Sequence, residues 1–353
     1  MRAHRRIPVD DASQVGEARR AALALAAELA FDEEAAGRLA LAVTELGTNL
    51  FRHVGPGREA ALLIGRDETG GEPGRDGDAV QVLSLDRGDG MDVERCLRDG
   101  YSTAGSSGTG LGAISRQASR FGAFSAPGRG TVIAARFAPR VERSHMPVRA
   151  PAFDVAGLSL AAPGESVSGD AWAWRRDGAR GTLAMADGLG HGPDAAAAAD
   201  KLMLLLGQAA PGALSSPAAF LERAHDPLRS TRGCAAAAVA LAEDGTQLLF
   251  GGAGNIAGRL ISGVADRSLM SQHGTLGLQV RRLQDAVYEW PPHAVLVLHS
   301  DGIVSRWSLE DTPGLLRADP AVIAGWIVRD HLRGRDDATV VVVRRHEGPG
   351  ERG

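Results

Sequence analysis

Residues 139–151, PRVERSHMPVRAP, hold three prolines and no apolar periodicity, and they separate stretches with unlike hydrophobic patterns. X-Pro steps favour extended backbone, so the stretch reads as a linker. The sequence therefore predicts two domains, residues 1–138 and 152–345, joined by a linker at 139–151 and followed by a disordered tail at 346–353. With 353 residues, 44% of them hydrophobic, the chain has enough apolar side chain for two cores.

Before the break, Arg6–Val9 reads as a short strand. A helix follows from Asp10 or Asp11, both good N-caps, and a second runs from Asp32 to about His53. In the second helix Leu39, Val43, Leu46 and Leu50 recur at helical spacing. EAALLIGRD and AVQVLSLD read as strands, TGLGAISRQASRFG as a helix, and GAFSA-PGRG-TVIAARFA contains a hairpin. After the break, short β-rich runs dominate. Helices are expected at Pro193–Ala210, Pro217–Leu228 and Pro320–Leu332. The fold class is α+β, with helices packed on sheets.

Composition narrows the function. A net charge of −4, from 39 basic and 43 acidic residues, with scattered arginines, argues against a nucleic-acid partner. The longest apolar runs carry Glu28, or Asp200 and Lys201, and the N-terminus has no apolar signal region, so no membrane partner is expected. Cys96 and Cys234 are far apart and form no CxxC pair, which suits reduced thiols in a cytoplasmic protein.

Three elements of the first half point to a nucleotide. Glu45, Asn49 and His53 lie four residues apart on one helix face. LDRGDGMD places Asp86 at a strand end with Gly88 and Gly90 behind it, an acceptor beside a backbone that a planar ligand can approach. SSGTGLG enters a helix near Thr109, and free N–H groups at a helix start suit phosphate. Each is weak alone; their order is specific. It resembles the GHKL family of ATP-binding domains, and DVERCLRDGYSTAGSSGTGLGAISRQASRFG resembles the stressosome switch kinases of the RsbT type. The resemblance implies a Bergerat-type α/β sandwich binding ATP and Mg²⁺. In it Glu45 is the general base, Asn49 a Mg²⁺ ligand and Asp86 the acceptor of the adenine amino group. Gly88 and Gly90 shape the adenine floor, and Gly108, Thr109, Gly110 and Gly112 lie against the phosphates. Asp89 departs from the proline that many members carry. His53 is expected to be structural.

In the second half, aspartates sit where strands end or turns begin: Asp170 in SGDAW, Asp187 in MADGLGHG, Asp301 in HSDGI, and Asp336 and Asp337 in RDDATVVVV. Each alone suits a turn. Gathered together, they would repel unless cations neutralise them, and oxygen-only ligands favour Mg²⁺ or Mn²⁺. These motifs, with GGAGNI, resemble the metal-dependent serine/threonine phosphatases (PPM), within them the SpoIIE-type branch and its small RsbX-type members. The resemblance implies an α-β-β-α sandwich with two Mn²⁺ or Mg²⁺ ions. Asp187 would bridge them, the Gly188 carbonyl would reach one, and Asp170, Asp301 and Asp336 would complete the shell. Asp337 would orient its neighbour, while Gly254 and Asn255 would shape a turn. His191 is either a loop histidine or the group that protonates the leaving serine oxygen.

The combined resemblance implies a partner-switching regulator acting on a STAS-domain antagonist of the stressosome or sigma-regulatory kind. The kinase half would phosphorylate that partner and the phosphatase half would reset it. Two other readings stay open: a non-catalytic ATP-binding domain regulating the phosphatase, and an anti-sigma binding module.

Overall fold

A computed structural model describes residues 3–55, 57–67, 69, 79–98, 110–139, 153–177, 180–210, 212–242, 245–291 and 293–345. The tail 346–353, most of the 139–151 linker, and Gly108 and Thr109 lie outside the described residues.

The first half runs β1 (Arg5–Pro8), α1 (Ala12–Glu28), α2 (Glu33–His53), β2 (Ala60–Asp67), β3 (Ala79–Asp86), α3 (Val93–Leu97), α4 (Gly110–Gln117), β4 (Arg120–Ala126) and β5 (Gly130–Phe137). Both long helices begin where the sequence places their caps. The Asp11 side chain accepts from Ser13 N at 2.6 Å, and Asp32 accepts from Ala35 N at 2.6 Å. The strands form one antiparallel sheet, ordered β1-β2-β3-β5-β4. Leu39, Val43, Leu46 and Leu50 of α2 join Leu62, Ile64, Val80, Val82 and Ile133 of the sheet in a single buried cluster.

The strands alternate faces, so Leu83, Leu85 and Val132 point away from that cluster, yet they are buried too. Their cover comes from the far end of the sequence. The second half runs β6 (Phe153–Leu160), β7 (Asp170–Asp177), β8 (Arg180–Gly188), α5 (Pro193–Gln208), α6 (Pro217–Leu228), β9 (Cys234–Leu241), β10 (Gln247–Ala253), β11 (Ala257–Ile261), β12 (Asp266–Leu269), β13 (Gly274–Thr275), β14 (Gln279–Val280), β15 (Ala286–Glu289), β16 (Val295–His299), α7 (Pro320–His331) and β17 (Ala338–Arg345). A Cβ added at Gly325 of α7 would lie 2.8 Å from Leu83 and 3.0 Å from Val132. Trp326 meets Phe124 edge-on at 5.1 Å, and Arg120 pairs with Asp319 at 2.5 Å. The described residues of His4–Met146 and Arg317–Asp330 form one compact unit, and those of Pro147–Leu316 and His331–Gly353 the other. The units thus differ from a single cut at the proline-broken stretch. The reason is physical: the two-faced sheet needs a second cover, and α7, buried from Pro320 to Arg329, supplies it.

In the second unit two five-stranded antiparallel sheets pack face to face, ordered β15-β10-β9-β8-β7 and β12-β11-β16-β17-β6. Phe153, Trp172, Leu183, Phe250, Leu296 and Val341 fill the space between them. α5 and α6 cover the outer face of the first sheet, where small residues such as Ala184, Ala236 and Ala238 let the helices approach. No described helix is long and apolar enough to cross a membrane. Neither cysteine is bonded: Cys96 is half-buried and Cys234 buried.

Candidate functional site

In the first unit, Glu45 and Asn49 are half-buried on α2, and His53 is exposed at its end. A Cβ at Gly110, the first residue of α4, would lie 3.2 Å from Glu45 Oε2, so the start of the glycine-rich helix closes on that carboxylate. Gly112 is buried further along the same helix. Asp86 ends β3. Its Oδ1 accepts from Gly88 N at 2.7 Å and from Thr131 N at 3.2 Å. Burial raises its carboxyl above its ordinary value, opposed by the Gly88 and Thr131 amides and then by the Arg329 charge. Gly90 has φ +83°, and a Cβ there would sit 2.6 Å from the Ala126 carbonyl, so glycine alone suits this turn. Asp89, the departure from the family pattern, pairs with Arg58 at 2.5 Å.

In the second unit the strand register brings the aspartates together. Asp170 opens β7 and faces Asp187 near the end of β8. The chain after β16 adds Ser300 and Asp301, and Asp336 and Asp337 precede β17. Burial raises the Asp187 carboxyl to about 8, reinforced by Asp170, Asp301, Asp336 and Asp337. Burial likewise raises Asp170 to about 7. Five carboxylates are therefore electrostatic neighbours. They are not drawn into a closed ligand set: among the described residues no three His, Cys, Asp or Glu side chains converge tightly enough to hold a metal by themselves.

Their surroundings fit a cation nonetheless. Ser300 Oγ donates to Asp170 Oδ2 at 2.6 Å, while Asp170 Oδ1 is buried with no hydrogen-bond partner. An orphaned buried carboxylate oxygen beside other carboxylates calls for a positive partner. The donor set is all oxygen, which selects Mg²⁺ or Mn²⁺ over softer ions. Gly188 leaves no room for a side chain, since a Cβ would lie 2.1 Å from the Ala195 carbonyl.

Asp337 has a different task. Its Oδ1 accepts from Ala162 N and its Oδ2 from Gly169 N, both at 2.8 Å, which clamps the loop leading into Asp170. Its own N–H donates to Asp336 Oδ1 at 2.9 Å. Three partners escape a reading of the sequence. Ser300 is hinted at only by its place before Asp301. Asn255, expected merely to shape a turn, also donates from Nδ2 to Asp301 Oδ2 at 2.9 Å. Glu165, with no motif of its own, lies with Oε1 2.7 Å from His191 Nδ1.

Together, fold and carboxylate cluster define a two-domain signalling enzyme, an ATPase-type sandwich joined to a metal-dependent phosphatase-type double sheet. Family comparison agrees. Residues 7–146 match the histidine kinase-like ATPase domain, and residues 177–346 match stage II sporulation protein E (SpoIIE). The serine/threonine-protein kinase RsbT of Bacillus subtilis (strain 168) is 31% identical over 112 residues, covering 31% of this chain and 78% of RsbT. A solved structure from work on the bacterial stressosome shares 26% identity over 54% of this chain and 99% of its own, with a TM-score of 0.49. RsbX in complex with magnesium shares 18% identity over 59% of this chain and 99% of its own, with a TM-score of 0.48. The chain belongs to the RsbT-like kinase family through its first domain, fused to a SpoIIE-type serine/threonine phosphatase domain.

Proposed function

We propose that this chain is a partner-switching enzyme whose second domain dephosphorylates phosphoserine or phosphothreonine on a STAS-domain antagonist, and whose first domain phosphorylates the same partner from ATP. The observation that carries the phosphatase reading is the facing pair Asp170 and Asp187, with Asp301 and Asp336 beside it and Asp170 Oδ1 left without a partner. Asp170, Asp187, Asp301, Asp336 and the Gly188 carbonyl would hold two Mn²⁺ or Mg²⁺ ions. Such ions supply Lewis acidity and charge neutralisation for hydrolysis of a phosphate monoester.

The chain's own residues prepare that site. Ser300 fixes the Asp170 carboxyl by one oxygen and leaves the other for a ligand. Asn255 and the Asp337 N–H orient Asp301 and Asp336. With Nδ1 held by Glu165, His191 keeps Nε2 to carry a proton to the leaving serine oxygen. In the first domain Glu45 would take the proton of the substrate hydroxyl, Asn49 would hold Mg²⁺, and Asp86 would accept from adenine. Gly88 and Gly90 would floor the base, and Gly108, Thr109, Gly110 and Gly112 would wrap the phosphates.

One experiment tests both halves. The intact chain is incubated with a purified STAS-domain protein and labelled ATP, and separately with its phosphorylated form and Mn²⁺. Asp187→Asn should abolish label release, and Glu45→Ala should abolish label incorporation while ATP binding persists. Incorporation that survives Glu45→Ala would remove Glu45 as the base.

A further inference from the structure

We propose that adenine nucleotide in the Asp86 pocket regulates the phosphatase site, and that α7 is the element that transmits it. The inference rests on the two-domain reading above and assigns its regulation to named residues.

α7 lies in sequence between Asp301 and Asp336, two members of the carboxylate cluster, yet Arg317–Asp330 packs as part of the first unit. Its grip there converges on Asp86. Arg329 is buried, stacks on Trp326 at 3.6 Å, and donates from Nη1 to the Asp86 carbonyl at 2.8 Å. Arg87, the next residue after Asp86, donates from Nη2 to the Arg329 carbonyl at 2.7 Å and pairs with Asp330 at 3.3 Å. The Asp86–Arg87 turn and the last turn of α7 therefore hold each other by backbone as well as charge. A ligand that fixes the Asp86 carboxylate and the glycine turn behind it must also favour one setting of α7.

The chain leaving α7 carries that setting onward. The His331 carbonyl accepts from Val304 N at 2.9 Å, Leu332 bridges Ile303, and Arg333 N donates to the Gly302 carbonyl at 2.8 Å. These three links stitch the exit of α7 to the residues directly after Asp301, and Asp336 follows shortly beyond Arg333. A shift of α7 along its axis would thus move the segments bearing both aspartates. Those segments in turn hold Asp170, since Ser300 Oγ donates to its carboxyl and Gly169 N donates to Asp337 Oδ2, so a shift of α7 would reach the whole cluster. Nucleotide occupancy would change how these carboxylates are spaced, and with it the charge density that a divalent cation meets. By linkage, cation binding would change nucleotide affinity by the same factor.

The test uses the full chain, with Mn²⁺ in large excess over ADP and p-nitrophenyl phosphate as substrate. With the Mn²⁺ site only part-filled, ADP should change turnover by about fivefold or more, the lower end of the usual coupling between sites. Arg87→Ala, at a half-exposed position, should leave turnover without ADP unchanged and shrink the ADP effect to less than about 1.5-fold, and Arg329→Gln should do the same. A second readout needs no activity: in metal-free protein, ADP should alter amide hydrogen exchange at 302–304 and 331–333. If bound ADP changes neither turnover nor exchange, or if its effect persists undiminished in both variants, α7 does not transmit it. A chain that binds ADP but shows no Mn²⁺-dependent turnover would sink the hydrolase reading, and the exchange result would then decide the coupling by itself.

Discussion

Replacing Asp170 by asparagine should make the metal-free protein more stable at pH 8 while destroying its metal response. Asp170 is buried, and its carboxyl titrates at about 7 in the fold against an ordinary value of 3.8. The sign follows from proton binding. Between those two values the folded chain holds a proton that the unfolded chain has lost. Folding stability is therefore highest below the ordinary value, falls as pH rises, and this contribution is fully lost once pH passes the folded value. A displacement from 3.8 to about 7 corresponds to about 4 kcal/mol for this one group, of which about 3 kcal/mol falls between pH 5 and pH 8. Asp187, raised to about 8 chiefly by burial and then by Asp170, belongs to the same coupled titration, so its share is not added. The asparagine side chain of the variant still accepts from Ser300 Oγ and carries no charge. The variant should then be about 2–4 kcal/mol more stable than wild type at pH 8 in chelator, with a flatter pH dependence.

Urea unfolding followed by tryptophan emission reads this directly. Four of the five tryptophans, Trp172, Trp174, Trp290 and Trp307, lie in the second unit. Added Mn²⁺ should reverse the order, raising the wild-type midpoint through binding to the folded state and leaving the variant unmoved. Wild-type stability that stays level or rises from pH 5 to pH 8 in chelator would refute the reasoning, as would a variant weaker than wild type at pH 8. Either result would mean that the fold does not penalise the charge of Asp170.

Two further changes bear on neighbouring regions of the fold. Asp337→Ala removes the acceptor of two backbone amides and should destabilise the second unit by about 2–4 kcal/mol with or without metal, read by the same urea titration. Trp326→Ala empties a fully buried site between Phe124 and Arg329 and should cost about 3–5 kcal/mol; the loss should appear in the unfolding of the ATPase-like unit, followed by release of bound fluorescent ADP.

Local signals are legible in the sequence and long-range ones are not. Asp11 and Asp32 mark helix starts because a cap is satisfied within three residues. The apolar spacing of α2 names its buried face without any tertiary knowledge. Asp187 and Asp301 stand out because each ends an apolar run, and strand ends are where a sheet can gather side chains. Glu165 is another matter: it meets His191 across 26 positions and carries no local mark. The cover of the first sheet is half-visible. AVQVLSL and TVIAA are apolar on both faces, and PAVIAGWIV is apolar all round. Such patterns say that a surface is buried, but not which distant segment buries it. The proline-broken linker invites a single cut, and a helix far downstream of it packs on the wrong side of that cut.

Asp170 and Asp337 show why charge type alone cannot assign a role within the cluster. Both are buried, and burial raises both carboxyls. Asp337 spends each oxygen on a backbone amide, so its charge is answered by the chain itself. Asp170 has one oxygen answered by Ser300 and one by nothing. Removal of the first should cost stability under every condition. Removal of the second should cost stability only where a cation is present to be lost. That opposition in sign, measured on two aspartates of one small region, separates a carboxylate that builds the fold from one the fold keeps in reserve for a ligand.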